Sequence, residues 1–113
     1  MEPIMETTPL TEAVYYILLA LTTPLHGYGI LKQVETFSRG RVVLAAGTLY
    51  GALSTLQTRG LIEPLPGSPG ERRKEYRITG EGLRALTLEL NRLEELLENG
   101  RKILEDTHDP HRI

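Results

Sequence analysis

The chain has 113 residues, 40% of them hydrophobic, with a formal net charge of −2 and no cysteine. That length suits one domain with a modest core, and the missing cysteine excludes disulfides, thiolate zinc sites and thiol catalysis. The charge is partitioned, with a net −3 over residues 1–25, +4 over 26–80 and −3 over 81–113. A basic middle between acidic ends fits a nucleic-acid-facing module on a solvated assembly element, and ordinary scatter also produces such a modest excess.

The opening, MEPIMETTPLTEA, is acidic. It lacks the basic-then-apolar layout of a signal peptide, so a cytoplasmic protein is expected. Thr11 to Leu21 is apolar on nearly every face and reads as a buried helix with Thr11 as its N-cap. Its apolar run, Ala13 to Leu21, falls well short of the roughly 20 residues needed to span a bilayer, so no membrane association is expected. His26 to Ser38 follows as a second helix, with Tyr28, Ile30, Leu31, Val34 and Phe37 at three- and four-residue spacing. Gly27 and Gly29 are poor helix formers, which demands either strain or close packing in the first turn. Ser38 to Arg41 reads as a turn, and Val42-Val43-Leu44 as a short strand.

Gly47 to Arg59 is the third predicted helix, closed by Gly60 in a left-handed cap. Leu49, Ala52, Leu53 and Leu56 gather on one side. The other side carries Gly47, Gly51, Ser54, Thr55 and Thr58, with Tyr50 on the flank. An ordinary surface helix would show more Glu and Lys there. Small polar side chains allow close approach to a groove floor and hydrogen bonds to phosphates or base edges, the alternative being plain solvated surface. Two strands are predicted next, Leu61 to Leu65 and Arg73 to Ile78, with Pro64 suiting a sheet edge. Between them lies a Gly/Pro-rich turn followed by Arg72, Arg73 and Lys74. Such a cluster suits phosphates or a narrow minor groove, or else serves only solubility.

Thr79 is placed to cap a long helix reaching about Leu104. Leu83, Leu86, Leu90, Leu93 and Leu97 step by three and four residues, with Gly100 interrupting the seam before Leu104. This heptad pattern carries more apolar surface than three short helices can cover, and dimerisation is its natural use. The predicted architecture is a mainly α fold with a small β-hairpin wing. Residues 1–9 form an arm, 10–79 a winged helix-turn-helix, 80–105 a dimerisation helix and 106–113 a tail. His26 reads as a packing or capping residue, and with His108 and His111 in the tail no metal site is expected. No catalytic constellation or phosphate-loop spacing is present, so neither an enzyme nor a cofactor is expected.

LTEAVYYILLAL, LHGYGI, GTLYGALSTLQTRGLIEPL and GERRKEYRITGEG, in this order and covering roughly Leu10 to Leu97, resemble the PadR-type transcriptional regulators, above all the compact branch with one C-terminal helix. The resemblance implies a homodimeric repressor bound to double-stranded promoter DNA. It places the third helix in the major groove and builds the dimer from the first and last helices. Carried over by motif, the Gly47-Thr48-Leu49-Tyr50 run starts the recognition helix, and Arg72, Arg73 and Lys74 fall on the wing. The small polar face adds Ser54, Thr55 and Thr58, so the DNA-binding candidates are Gly47, Thr48, Tyr50, Ser54, Thr55, Thr58, Arg72, Arg73 and Lys74. Tyr50 falls where the family places a tyrosine that touches the DNA backbone, although core packing is its other reading. Lys32 and Arg41 are weaker candidates for backbone contact. The dimer residues are Tyr15, Leu19, Leu83, Leu86, Leu90, Leu93 and Leu97.

This chain departs from its relatives late in the third helix. Ser54, Thr55, Gln57 and Thr58 stand where they often carry several basic residues, and Arg59 alone is basic. Some relatives sense small molecules at the dimer interface. Here Tyr15, Tyr16, Leu93 and Leu97 are the candidates for such an effector site, with core packing as the alternative. A different class of function, a winged-helix module used for protein–protein contact without DNA binding, would use the same leucine seam.

Overall fold

The computed structural model describes residues 9–66 and 74–107. In chain order these form α1 (Glu12–Ala20), β1 (Leu25–His26), α2 (Gly27–Phe37), α3 (Ala46–Thr58), β2 (Ile62–Pro64), β3 (Glu75–Ile78) and α4 (Gly80–Thr107). The fold is mainly helical with one small antiparallel sheet in the order β1-β3-β2. β2 and β3 are the predicted wing strands, and Pro64 sits on the outer one, where a missing N–H breaks no ladder.

The helix ends follow local chemistry. Thr11 caps α1, its hydroxyl accepting from the Val14 N–H at 3.1 Å. His26 caps α2, its Nδ1 accepting from the Gly29 N–H at 3.3 Å, so capping is the role it fills. After α3, Gly60 takes φ +78°, a left-handed conformation open to glycine at little cost. Thr79 joins wing to long helix. Its hydroxyl donates to the Gly60 carbonyl at 2.7 Å and accepts from the Gly82 N–H at 3.1 Å.

The core is one cluster. Ile17, Leu18 and Leu21 from α1 and the loop after it meet Ile30 and Val34 of α2 and Leu49, Leu53 and Leu56 of α3. Leu61, Ile62, Tyr76 and Leu86 close it from the wing and α4. Gly82 marks where α4 presses on the wing, since a Cβ there would run into the Leu61 carbonyl and the Ile78 side chain.

Three expectations need correction. Val42–Leu44 is not a strand. Both edges of β3 are already taken, one by β2 and the other by Leu25–His26, and the Val42 N–H is instead held by the Ser38 hydroxyl at 2.9 Å. Tyr28 and Phe37, read as part of the apolar stripe of the second helix, are exposed. Tyr28 lies well off the Ile30–Val34 direction, and Phe37 sits at the helix end against Tyr16, ring centroids 6.4 Å apart. Finally, α4 runs to Thr107 rather than Leu104.

At about 1.5 Å per residue the 28-residue α4 is roughly 42 Å long. Its first half packs on the body and its second half projects, giving the molecule extents of 69 × 42 × 21 Å. Among the described residues no helix is long and apolar enough to cross a membrane.

Candidate nucleic-acid interface

α3 divides cleanly along its length. Leu49, Leu53 and Leu56 are buried, which fixes the helix on the body by three side chains on one face. Gly47, Thr48, Tyr50, Gly51, Ser54, Thr55 and Thr58 are all exposed. A Cβ added at Gly47 or Gly51 would meet open space, so the outward face is low and smooth. No acidic side chain stands on it to repel a phosphate. Ala45 occupies the N-cap and makes no side-chain capping bond, which leaves the first-turn amides to an outside acceptor.

Tyr50 is 51% exposed and lies on the flank of this face, against Gly27 at the start of α2. On the wing side it neighbours Tyr76, whose hydroxyl pKa is raised by burial and further by the Tyr50 phenol. Tyr50 therefore stands where α3, α2 and the wing come together.

On the wing itself, Arg77 pairs with Glu63 directly across the ladder at 2.8 Å. That pair neutralises its own charge, and both side chains remain exposed. Lys74, just before β3, is exposed; Arg72 and Arg73 lie outside the described residues. On the other flank Lys32 stands over the Tyr28 ring, 5.5 Å from its centroid. This exposed aromatic–cation pair escaped the sequence reading because the spacing of Tyr28 placed it with the core. Its position between two glycines was the available signal.

The long helix presents a second surface. Leu83, Leu90, Leu93 and Leu97 are exposed along it, together with Leu88, Leu96, Ile103 and Leu104. Leu86, expected on the same seam, is 5% exposed and belongs to the core of its own chain. Tyr15 and Leu19 are half-buried, each packed against that core.

Between α1 and α4 lies a cleft of about 380 Å³ lined by Leu10, Tyr15, Tyr16 and Leu93 among others. Two ion pairs border it. Arg41, in the loop before α3, meets Glu12 at 3.0 Å. Arg92 meets Glu89 through two bonds, of 3.0 and 2.6 Å. Glu89 is 2% exposed, and its pKa is lowered mainly by the Arg92 bond, helped by the Leu10 N–H, against the upward push of burial. Among the described residues no group of His, Asp or Glu is placed to hold a metal ion.

A family model for the "Transcriptional regulator PadR-like family" matches residues 16–88. The chain belongs to the PadR-like family. The match runs from α1 through the whole winged-helix body into the first part of α4. The solved PadR family transcriptional regulator from Eggerthella lenta DSM 2243 is 30% identical, with a TM-score of 0.66 over 81% of this chain and 80% of that one. A PadR family regulator from Clostridium difficile R20291 is 26% identical, with a TM-score of 0.69 over 83% of this chain and 99% of that one. A curated relative, an uncharacterised 37.1 kDa protein in transposon TN4556 of Streptomyces fradiae, is 44% identical over 55 residues, 48% of this chain. The chain spans 15% of the length of that relative. PadR-like proteins are transcriptional regulators, and this PadR-like chain is a regulator, not an enzyme.

Proposed function

We propose that this PadR-like protein is a homodimeric, sequence-specific DNA-binding repressor of the cytoplasm. Residues 10–79 form its reading head, and the helix that follows forms its dimerisation arm. The observation that carries the reading is the split of α3, three leucines buried behind an outward face of small, uncharged residues. Gly47, Thr48, Ser54, Thr55 and Thr58 would approach base edges and Tyr50 a phosphate. In a two-fold dimer two such helices would enter successive major grooves about 34 Å apart and read a pseudo-palindrome. Because this face carries no cation before Arg59, Arg72, Arg73 and Lys74 of the wing would supply much of the grip on the backbone.

Fluorescence anisotropy on the promoter duplex upstream of the protein's own gene tests this. Replacing Arg72 and Arg73 together by Ala is expected to weaken binding at least tenfold and to reduce the salt slope by about 2, one for each lost phosphate contact. Unchanged affinity would remove the wing from the interface.

The α1–α4 cleft supports the further reading that a small apolar effector releases the DNA. Its volume lies in the range of roughly 300–1,000 Å³ used by ligand sites. Tyr15 and Tyr16 meet edge to face in its wall, and Leu93 and Leu97 extend that side towards the dimer seam. Arg41 lies at the cleft and in the loop that leads into α3, so a ligand parting it from Glu12 would act on the segment that precedes the recognition helix. The dye anilinonaphthalene sulfonate serves as a probe. It should fluoresce with the wild type, less with Tyr16→Ala, and lower DNA affinity as it fills the cleft. Full DNA affinity at saturating dye would separate the cleft from regulation.

A further inference from the structure

We infer that Gly27 is a positioning residue for DNA binding: the missing side chain at the first residue of α2 lets the Tyr50 ring lie against that turn and fixes where its hydroxyl stands. The inference rests on the reading that Tyr50 touches DNA, and goes beyond it by naming what aims the tyrosine.

Gly27 is not required by its own backbone. Among the described residues the positive-φ glycines are Gly40 and Gly60, so Gly27 has a conformation open to any residue. Glycine is also a poorer helix former than alanine, so local stability argues against it here. Space explains the choice. A Cβ at Gly27 would stand 2.8 Å from the Tyr50 Cζ and closer still to its hydroxyl oxygen. Gly29, two residues on, would meet Leu25 at a far milder 3.2 Å, and Gly47 and Gly51 would meet nothing. Gly27 is buried beneath a tyrosine that is itself half exposed.

The two helices cannot separate to make room. Ile30 and Val34 hold α2 in the core, and Leu49 and Leu53 hold α3. The conflicting atoms lie at the far end of the Tyr50 side chain, so an added methyl is relieved by swinging the ring outward. Gly27→Ala should thus fold normally while moving the hydroxyl off its place on the DNA-facing side.

The test uses the full chain and the promoter duplex upstream of its own gene, with four proteins: wild type, Gly27→Ala, Tyr50→Phe and the double variant. Gly27→Ala is expected to melt at or above the wild-type temperature yet bind DNA about tenfold more weakly, the loss of one charge-assisted hydrogen bond. The double variant should bind no more weakly than Tyr50→Phe alone. Equal losses from Gly27→Ala in both backgrounds would overturn the inference. A DNA-free readout separates it from the reading beneath it. In protein labelled with 3-fluorotyrosine, the resonance missing from Tyr50→Phe belongs to Tyr50, and Gly27→Ala should shift it. An unmoved resonance overturns the positioning role whatever the DNA data show. Wild-type affinity in Tyr50→Phe would instead overturn the DNA contact of Tyr50, leaving the packing on Gly27 to be judged by fluorine alone.

Discussion

Replacing Leu90 and Leu97 together by Glu is expected to leave the protein folded, monomeric and at least 100-fold weaker on its promoter DNA. Both leucines are about half exposed and neither belongs to the core cluster, so the chain does not need them for its own packing. They are seven residues apart and share the seam with Leu83, Leu93 and Leu104. In a dimer each would be buried against the second copy, and burial of one leucine contributes about 1.5–3 kcal/mol. Two buried carboxylates per subunit would replace that gain with a desolvation cost. The loss of DNA binding follows from geometry. Two linked reading heads gain 10²–10⁴ in avidity over one, and a monomer forfeits this even with an intact recognition helix. Light scattering gives the mass, far-UV circular dichroism the helix content, and anisotropy the affinity. A double variant that remains a dimer would place the interface elsewhere. One that is monomeric but binds DNA like the wild type would refute two-headed recognition.

Glu89→Ala should cost about 2–3 kcal/mol of stability, the largest single-residue effect expected outside the apolar core. The carboxylate is 2% exposed and answers two donors at once, the Arg92 guanidinium and the Leu10 N–H. Truncation leaves both without their acceptor. Arg92 is part exposed and can turn to water, which holds the cost to the lower end for a broken buried pair. The pH dependence has a definite sign. Because folding lowers the pKa of Glu89, its stabilisation is complete above the ordinary carboxylate value and is lost as pH falls through the lowered one. Urea melts at fixed protein concentration should show a wild-type-to-variant gap that is constant from pH 7 to about 5 and narrows below that. A gap of equal size at pH 3 would show that the charge of Glu89 is not what holds α1 to α4.

Much of this architecture was legible because its elements carry strong local signals. Thr11, Gly60 and Thr79 are punctuation that acts through short-range hydrogen bonds and backbone conformation, and each fills the expected role. The leucine stripe of α3 needed only helical periodicity to separate its buried face from its open one. What escaped depends on partners distant in sequence. β1 is two residues long and exists because β3, some fifty residues later, offers an edge. The same competition denies Val42–Leu44 a strand. Leu86 and Leu90 look alike in the heptad, and only the placement of α4 on the body buries the first and exposes the second. Glu89 gave no sign of being buried, because its burial depends on where the entry to α1 crosses the long helix.

The 28-residue α4 is also a lever. Its root is clamped where Gly82 lets it touch the wing and Glu89 ties it to the start of α1. From Glu89 to Thr107 the free arm is roughly 27 Å, so a tilt of about seven degrees at the root carries the far end about 3.3 Å. Successive base pairs are about 3.4 Å apart along DNA. In the proposed dimer, with the far ends of two such levers bound to each other, a small change beside Glu89 would be amplified into a misfit of about one base pair between the reading heads.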